Sequence, residues 1–348
     1  MKFSIFVTFI ALVALSITAC KKSGQGGQQG AAEKSAKSIE LLNVSYDPTR
    51  ELWRDINANF IPKYEKEKGV KLTINQSHGG SSTQARAVID GLDADVITLA
   101  SYLDDDAIEK KGLLKPGWID RLPNRSLPYT STVVFVVRNG NPKGIKDWPD
   151  LAKEGVQVIT PNPKTSGNGC MSFFSAWGSV VLRGGSREEA IDYVTKLYKN
   201  VPVLDSGARG ATTTFVQKGI GDVRLAWENE AHLEVREAKG ALEIVTPPIS
   251  ILAEPHVAAV DENVDRKGTR EAAEAYLKYT FTDEAQEIFA KHFYRPIDEA
   301  ILKKYLGTVF QDLKRFPITD IAKSFPDAHK QFIGEGGVFD TIYKPKGK

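Results

Sequence analysis

The sequence predicts an α/β protein of two lobes, with mostly parallel sheets flanked by helices. Short β-branched runs alternate with segments of helical period along most of the chain. Several of these runs end in a polar turn that opens directly into a helix. About 310 residues follow an apolar amino-terminal segment, a length that suits two domains better than one.

The alternation is clearest at residues 38–100, where strands at 38–45, 71–77 and 94–100 are separated by helices. The first helix, from Pro48, carries one apolar stripe: Leu52, Trp53, Ile56, Phe60 and Tyr64. Strands are also predicted near 156–160 and 222–227. The β-rich stretches 130–137 and 249–260 flank that block, and we interpret them as crossovers. We therefore assign 38–131 and 247–348 to lobe 1 and 132–246 to lobe 2, with mainly helical chain from 267.

The amino terminus reads as an export signal. Lys2 precedes an apolar run at 3–17, which is too short to span a bilayer as a helix of about 20 residues. The run ends in Ile17-Thr18-Ala19-Cys20, which resembles a bacterial lipoprotein cleavage box. The resemblance implies a signal peptide at 1–19, a lipid on Cys20 and membrane anchoring at the periplasmic face or cell surface. The alternative is a signal peptide with a chance cysteine. Residues 20–37 are rich in Gly, Gln, Ser, Ala and Lys and fit a flexible tether.

Charge and cysteine content exclude some classes of protein. With 46 basic and 44 acidic residues mixed throughout, the formal charge is +2, so the basic footprint of a nucleic-acid or membrane-surface binder is missing. Any anion must be bound locally. Of the two cysteines, a lipidated Cys20 leaves Cys170 without an intramolecular partner. We expect Cys170 to be a small buried apolar group rather than a reactive thiol.

Polar turns at helix starts are the most informative feature. A helix start leaves about four backbone amides unpaired and carries roughly half a positive charge, so it binds anions without a charged side chain. In open α/β sheets such turns converge at the carboxyl ends of the strands. In the first turn, Asp47 is predicted as N-cap with Pro48 at the first helical position. The four turns lie at 45–51, 78–85, 162–169 and 205–211.

Five runs, at 41–51, 77–81, 162–167, 205–215 and 226–231, resemble those of the periplasmic sulfate-binding proteins, the substrate receptors of sulfate/thiosulfate ABC importers. The resemblance extends from about residue 41 to about 298, in order and at the spacing of the family. It implies a type II binding-protein fold, in which two lobes joined by a hinge close over the ligand. It also implies a monomer without cofactor, metal or catalytic residues, which serves a membrane permease and its ATPase.

Carried over residue by residue, the resemblance implies seven ligand-binding positions with neutral donors. The backbone amides of Asp47, Ser81, Gly167, Asn168 and Ala208, the Ser166 hydroxyl and the Trp227 indole N–H hold the anion. Two departures from the family pattern occur: Ser82 and Asn168 stand where glycine is usual, and Gly169-Cys170 replaces an Ala-Arg pair.

Other functions remain as alternatives. A receptor for molybdate or phosphate, an oxyanion-ester hydrolase and an adhesion lipoprotein would each fit part of the pattern. The sequence has no Gly-x-Ser-x-Gly elbow, P-loop or complete dinucleotide fingerprint. Its five histidines lack the spacing of a metal site.

Overall fold

The structure, a computed structural model, describes residues 38–343. The predicted signal peptide, Cys20 and the tether lie outside the described residues. None of the helices in the described part is long and apolar enough to cross a membrane.

The described chain forms strands and helices that we number in chain order. The strands are β1 Ser38–Tyr46, β2 Lys71–Gly79, β3 Val96–Thr98, β4 Tyr129–Thr130, β5 Val133–Arg138, β6 Val158–Pro161, β7 Leu204–Asp205, β8 Val223–Trp227, β9 Leu242–Val245, β10 Ile249–Ile251, β11 Val257–Ala259, β12 Arg295–Pro296 and β13 Lys314–Phe316. The helices are α1 Arg50–Lys68, α2 Ser81–Ile89, α3 Tyr102–Lys110, α4 Pro123–Ser126, α5 Gly167–Val181, α6 Arg187–Lys199, α7 Ala208–Thr212, α8 Glu228–Glu237, α9 Asp261–Lys267, α10 Arg270–Tyr279, α11 Asp283–Lys291, α12 Glu299–Tyr305, α13 Phe325–Phe332 and α14 Val338–Ile342.

Two sheets organise the molecule. The first has the order β11-β3-β1-β2, with β1 parallel to both β2 and β3 and with β11 antiparallel to β3. The second has the order β7-β6-β8-β5-β9, in which β6 runs parallel to β7 and β8 while β5 is antiparallel to its neighbours. We call the halves built on them the four-stranded lobe and the five-stranded lobe. The predicted α/β fold class is confirmed.

The stripe predicted for the first helix is the face that α1 buries. Leu52, Trp53, Ile56, Phe60 and Tyr64 are all at most 5% exposed and pack in the core of the four-stranded lobe. Burying such side chains contributes about 1.5 to 3 kcal/mol each. This packing holds α1 against the sheet, and it places the amino-terminal end of the helix at the carboxyl end of β1.

The chain changes lobes within both stretches interpreted as crossovers. In the first, β4 pairs with β12 and the following β5 belongs to the five-stranded sheet. In the second, β10 pairs with β13, and β11 belongs to the four-stranded sheet. Ser131 and Ala253 form a β-bridge that ties the two connections together.

The carboxyl-terminal segment departs from the expected division of the chain. We expected 247–348 to belong to lobe 1, but β13, α13 and α14 pack with the core of the five-stranded lobe through Phe316, Phe332 and Phe339. The reason is α5, which is apolar on almost all sides and buries nearly every residue up to Ser179. A helix of this kind needs cover on its outer face, and the returning segment supplies it.

Gly178 lies where this cover touches α5. A Cβ at this position would lie 2.2 Å from the Phe316 ring. We therefore expect Gly178→Ala to lower the free energy of unfolding by about 1 to 3 kcal/mol through overpacking, measured by urea unfolding. Phe316→Leu removes the ring atoms, so the double variant should lose less stability than the sum of the two single variants. Strict additivity would contradict this packing.

Candidate functional site

All seven residues implied by the family resemblance line one small cavity between the lobes. The lining residues are Tyr46, Asp47, Pro48, Gly79, Gly80, Ser81, Ala100, Ser166, Gly167, Asn168, Ala208 and Trp227. The cavity is narrow, with room for a compact group only. It is too small for an organic molecule of ordinary size.

The five backbone amides expected to bind lie at the first or second position of a helix. Ser81 begins α2, Gly167 and Asn168 begin α5, and Ala208 begins α7. Asp47 begins a short 3₁₀ turn, Asp47–Thr49, that continues directly into α1. Amides at these positions have no partner within their own helix. Four helix starts therefore present unpaired N–H groups and positive dipole ends to one point.

The first helix start differs from the sequence-based expectation. We predicted Asp47 as the N-cap, but β1 runs to Tyr46, which is the cap residue and makes no side-chain capping bond. Asp47 is thus the first residue of the turn, and Pro48 follows at the second position. The Asp47 carboxylate is not used as a cap and lies 3.4 Å from Arg50 Nη2.

The two serines use their hydroxyls differently. Ser166 is the N-cap of α5, and its Oγ accepts a hydrogen bond from Gly169 N at 3.3 Å. Its own hydroxyl proton can therefore point into the cavity. Ser81 Oγ donates to the buried Asp104 carboxylate and accepts from Ala100 N at 2.9 Å. Those bonds hold the start of α2 in place and leave the Ser81 amide for the cavity.

Trp227 stands at the end of β8 and is the N-cap residue of α8. Only 1% of the residue is exposed, and the Tyr46 ring meets its indole edge-on at a centroid distance of 6.1 Å. Because Tyr46 belongs to the four-stranded lobe, this contact joins the lobes beside the cavity.

Glycines allow the lobes to approach closely around the cavity. A Cβ on Gly167 would lie 2.7 Å from Ala100 Cβ in the opposite lobe, and a Cβ on Gly80 would lie 3.3 Å from Thr165 O. No ordinary side chain fits at Gly167 without separating these surfaces. The structure therefore has the lobes closed on one another.

No lysine or arginine is among the residues that line the cavity. Arg209, the second residue of α7, is half exposed, and its Nη2 lies 3.9 Å from Glu51 Oε2 in the opposite lobe. Such a long exposed pair contributes little to stability. Sequence reasoning missed Arg224, which is fully buried between Glu230 and Glu234 and donates to Ala208 O at 3.0 Å.

Two further groups near the cavity are held neutral. Burial, with the nearby Arg50 charge, lowers the pKa of His78 to about 4. Its ring nitrogens lie 2.8 Å from Ser45 Oγ and 2.7 Å from Gln76 Oε1. Cys170 is a buried free thiol whose pKa burial raises, as the sequence led us to expect.

Five further residues line the cavity, and four of them, Tyr46, Pro48, Gly79 and Gly80, lie in the predicted polar turns 45–51 and 78–85 without having been assigned a contact to the ligand. Ala100 lies in none of the four predicted turns. Tyr46 and Gly79 are the last residues of β1 and β2, and Ala100 follows β3 by two residues. The rule that sites form at the carboxyl ends of parallel strands, which predicted the other turns, could also have identified Ala100. Within residues 38–343, no group of three His, Cys, Asp or Glu side chains could hold a metal ion.

Comparison with known proteins places this architecture in a family. The family described as bacterial extracellular solute-binding protein matches residues 51–295. The chain belongs to this family. The solute-binding protein is 53% identical over 311 residues to the sulfate-binding protein of Escherichia coli. The matched region covers 89% of this chain and 94% of that protein. It is 51% identical over 313 residues to the thiosulfate-binding protein of Pseudomonas aeruginosa, covering 88% and 92%.

A solved structure gives the same result. The sulfate-binding protein SubI of Mycobacterium tuberculosis superposes with a TM-score of 0.76 at 30% identity, over 85% of this chain and 99% of that one. The resemblance to the sulfate-binding proteins and the type II binding-protein fold are thus confirmed for this solute-binding protein.

The neutral state of His78 generates a prediction about acid stability. Because its folded pKa of about 4 lies below the usual 6.5, its stabilising contribution is present above pH 6.5 and is lost as the pH falls toward 4. Replacing it by a non-titrating residue should remove this part of the acid sensitivity. We expect the urea midpoint of His78→Gln to fall less steeply than that of the parent protein between these pH values.

The control is the same comparison above about pH 7, where the histidine is neutral in both folded and unfolded chains. There the two proteins should differ by a constant amount. Parallel curves across the acid range as well would contradict the neutral assignment of His78.

Proposed function

We propose that this protein captures sulfate between its two lobes and delivers it to a membrane ABC permease and its ATPase. It acts as a monomer, needs no cofactor, and leaves energy coupling to the permease. Asp47, Ser81, Ser166, Gly167, Asn168, Ala208 and Trp227 are the proposed ligand-binding residues.

One observation carries the proposal: four helix starts, one hydroxyl and one indole surround a cavity of atomic size that no lysine or arginine lines. Sulfate is a dianion without protons near neutral pH, so all of its oxygens accept hydrogen bonds. Helix starts carry roughly half a positive charge each, so several together offset much of a dianion's charge. A ring of donors therefore suits sulfate better than a ligand that must also donate.

The relatives support the same ligand and suggest a second one. The E. coli relative is named a sulfate-binding protein, and the P. aeruginosa relative, of nearly equal identity, is named a thiosulfate-binding protein. Thiosulfate is also a tetrahedral dianion without protons at neutral pH. We therefore propose thiosulfate as the second candidate ligand.

We further infer that the protein is not an enzyme. A serine hydrolase needs a serine hydroxyl that is hydrogen bonded to a histidine base. Ser45 and His78 come closest to this arrangement, with Ser45 Oγ 2.8 Å from His78 Nδ1. Ser45 is fully buried and does not line the cavity. His78, with a pKa of about 4, is a weak base at neutral pH. This pair therefore neither reaches a bound oxyanion nor activates a nucleophile efficiently.

Selectivity tests the proposed site. We expect calorimetric titration to show tight binding of sulfate, and phosphate should fail to compete even in large excess. Phosphate retains a proton that a donor-only site leaves without an acceptor, at a cost of about 1 to 3 kcal/mol or more. Sulfate affinity should stay nearly flat from about pH 5 to 8, because the neighbouring His78 is already neutral there. Thiosulfate and molybdate complete the panel of ligands.

A variant of Asp47 is the control for the selectivity between sulfate and phosphate. Its carboxylate is not used as a helix cap, so it is the group in the cavity lining that could accept a proton from phosphate. If phosphate bound strongly and Asp47→Asn abolished that binding, Asp47 would be accepting the phosphate proton. That result would replace the sulfate assignment by a phosphate receptor. A steep loss of sulfate affinity between about pH 6 and 7.5 would also contradict the donor-only site.

Export and anchoring form a separate part of the proposal. We infer that residues 1–19 are removed and that the protein is held by a lipid on Cys20 at the periplasmic face or cell surface, with 20–37 as a tether. Cys20→Ala should block lipid attachment and normal processing while the domain still binds sulfate with unchanged affinity. Mass spectrometry and membrane fractionation measure this. A variant that kept the parent's lipid mass and membrane location would refute the anchor.

A further inference from the structure

The Asn168 side chain lies beside β8 at the point where its neighbouring strand ends. β6 pairs with β8 only where Val158 lies opposite Val223 and Ile159 lies opposite Arg224. Beyond these residues β6 pairs with β7 instead. On the other side, β5 accompanies β8 as far as Trp227. The last residues of β8 therefore have a strand partner on one side only.

The direction of the backbone groups shows which of them lose their partner. In a strand, successive residues point their N–H and C=O groups to opposite sides. Glu228 N donates to Thr132 O on the β5 side at 3.1 Å, so Leu225 and Trp227 point to the β6 side. Both residues are at most 1% exposed. Buried backbone groups without partners are costly, so Leu225 O and Trp227 N need a substitute for the missing strand.

The Asn168 carboxamide is that substitute. With its oxygen and nitrogen assigned by their hydrogen-bonding neighbours, the side chain donates to Leu225 O at 3.0 Å and accepts from Trp227 N at 3.3 Å. A parallel neighbouring strand would bond the same two positions, which flank Ala226. Asn168 itself is 1% exposed, so the amide is shielded from water.

We propose that the Asn168 side chain is a positioning residue that fixes Trp227 for sulfate binding. The inference rests on the proposed function and deepens it. Asn168 has two separate roles: its backbone amide, at the start of α5, faces the cavity, while its side chain holds the residue that supplies the indole donor. A residue without this carboxamide would offer only the first role, so the Asn168 side chain replaces a missing strand contact.

Asn168→Ala tests the second role alone, because alanine keeps the backbone amide and the helix start. We expect the sulfate dissociation constant to rise roughly 2- to 10-fold, the value of about one net hydrogen bond. Trp227→Phe, which removes the indole donor but keeps most of the ring, should weaken binding roughly 10-fold or more. In the Trp227→Phe background, Asn168→Ala should have little further effect, since the donor it positions is already gone.

Asn263→Ala is the matched control. Asn263 is also a buried asparagine whose side chain donates to a backbone carbonyl, Ala94 O at 2.8 Å, but it lies in α9, away from the cavity. It should lower thermal stability and leave the dissociation constant unchanged. Asn168→Gly provides a second variant, which also lacks the carboxamide but keeps the backbone amide.

The outcomes separate this inference from the proposed function. If Trp227→Phe weakens sulfate binding and Asn168→Ala does not, the positioning role is wrong and the site stands. If the two substitutions weaken binding additively, Asn168 acts independently of the indole and the inference is again wrong. If the parent protein does not bind sulfate, both proposals fail. The ¹⁵N–¹H signal of the Trp227 indole should also broaden in Asn168→Ala, and an unchanged signal would count against positioning.

Discussion

Burying a doubly charged anion removes it from water, and the lost hydration must be replaced by donors that the protein already holds unpaired. Helix starts are the natural source, because their first amides cannot be satisfied within the helix. They also carry partial charge without the large desolvation penalty of a buried lysine or arginine. This requirement explains the arrangement of the molecule: several strands end at one point so that the helices after them begin there.

The interior of each lobe serves this convergence. α1 is held by its apolar stripe against the four-stranded sheet, and α5 is packed on nearly all sides in the five-stranded lobe. Rigid helices of this kind fix the direction of their first amides without side-chain ligands. Ser81 and Ser166 then adjust the local geometry through hydrogen bonds to Asp104 and Gly169.

Much of this was predictable from the sequence. The α/β class followed from alternating periods, and the stripe from Leu52 to Tyr64 is the buried face of α1. The seven proposed ligand-binding residues came from the family resemblance rather than from patterns, since a polar turn before a helix is common. The prediction that Asp47 caps the first helix was wrong. The first strand ends one residue later than predicted, and such a small difference in a strand boundary cannot be recognised from propensity. The packing of the carboxyl-terminal segment and the bonds of Asn168 depend on residues distant in the chain, which no local pattern records.

That carboxyl-terminal segment also bears on how the lobes can move. Because β13 returns to pair with β10 after the chain has already passed between the lobes twice, three connections rather than two join them. Two connections permit both bending and twisting, whereas a third removes much of the freedom to twist. We therefore expect opening of the cleft to be mainly a rotation about one axis. Each closure then brings the same helix starts into register.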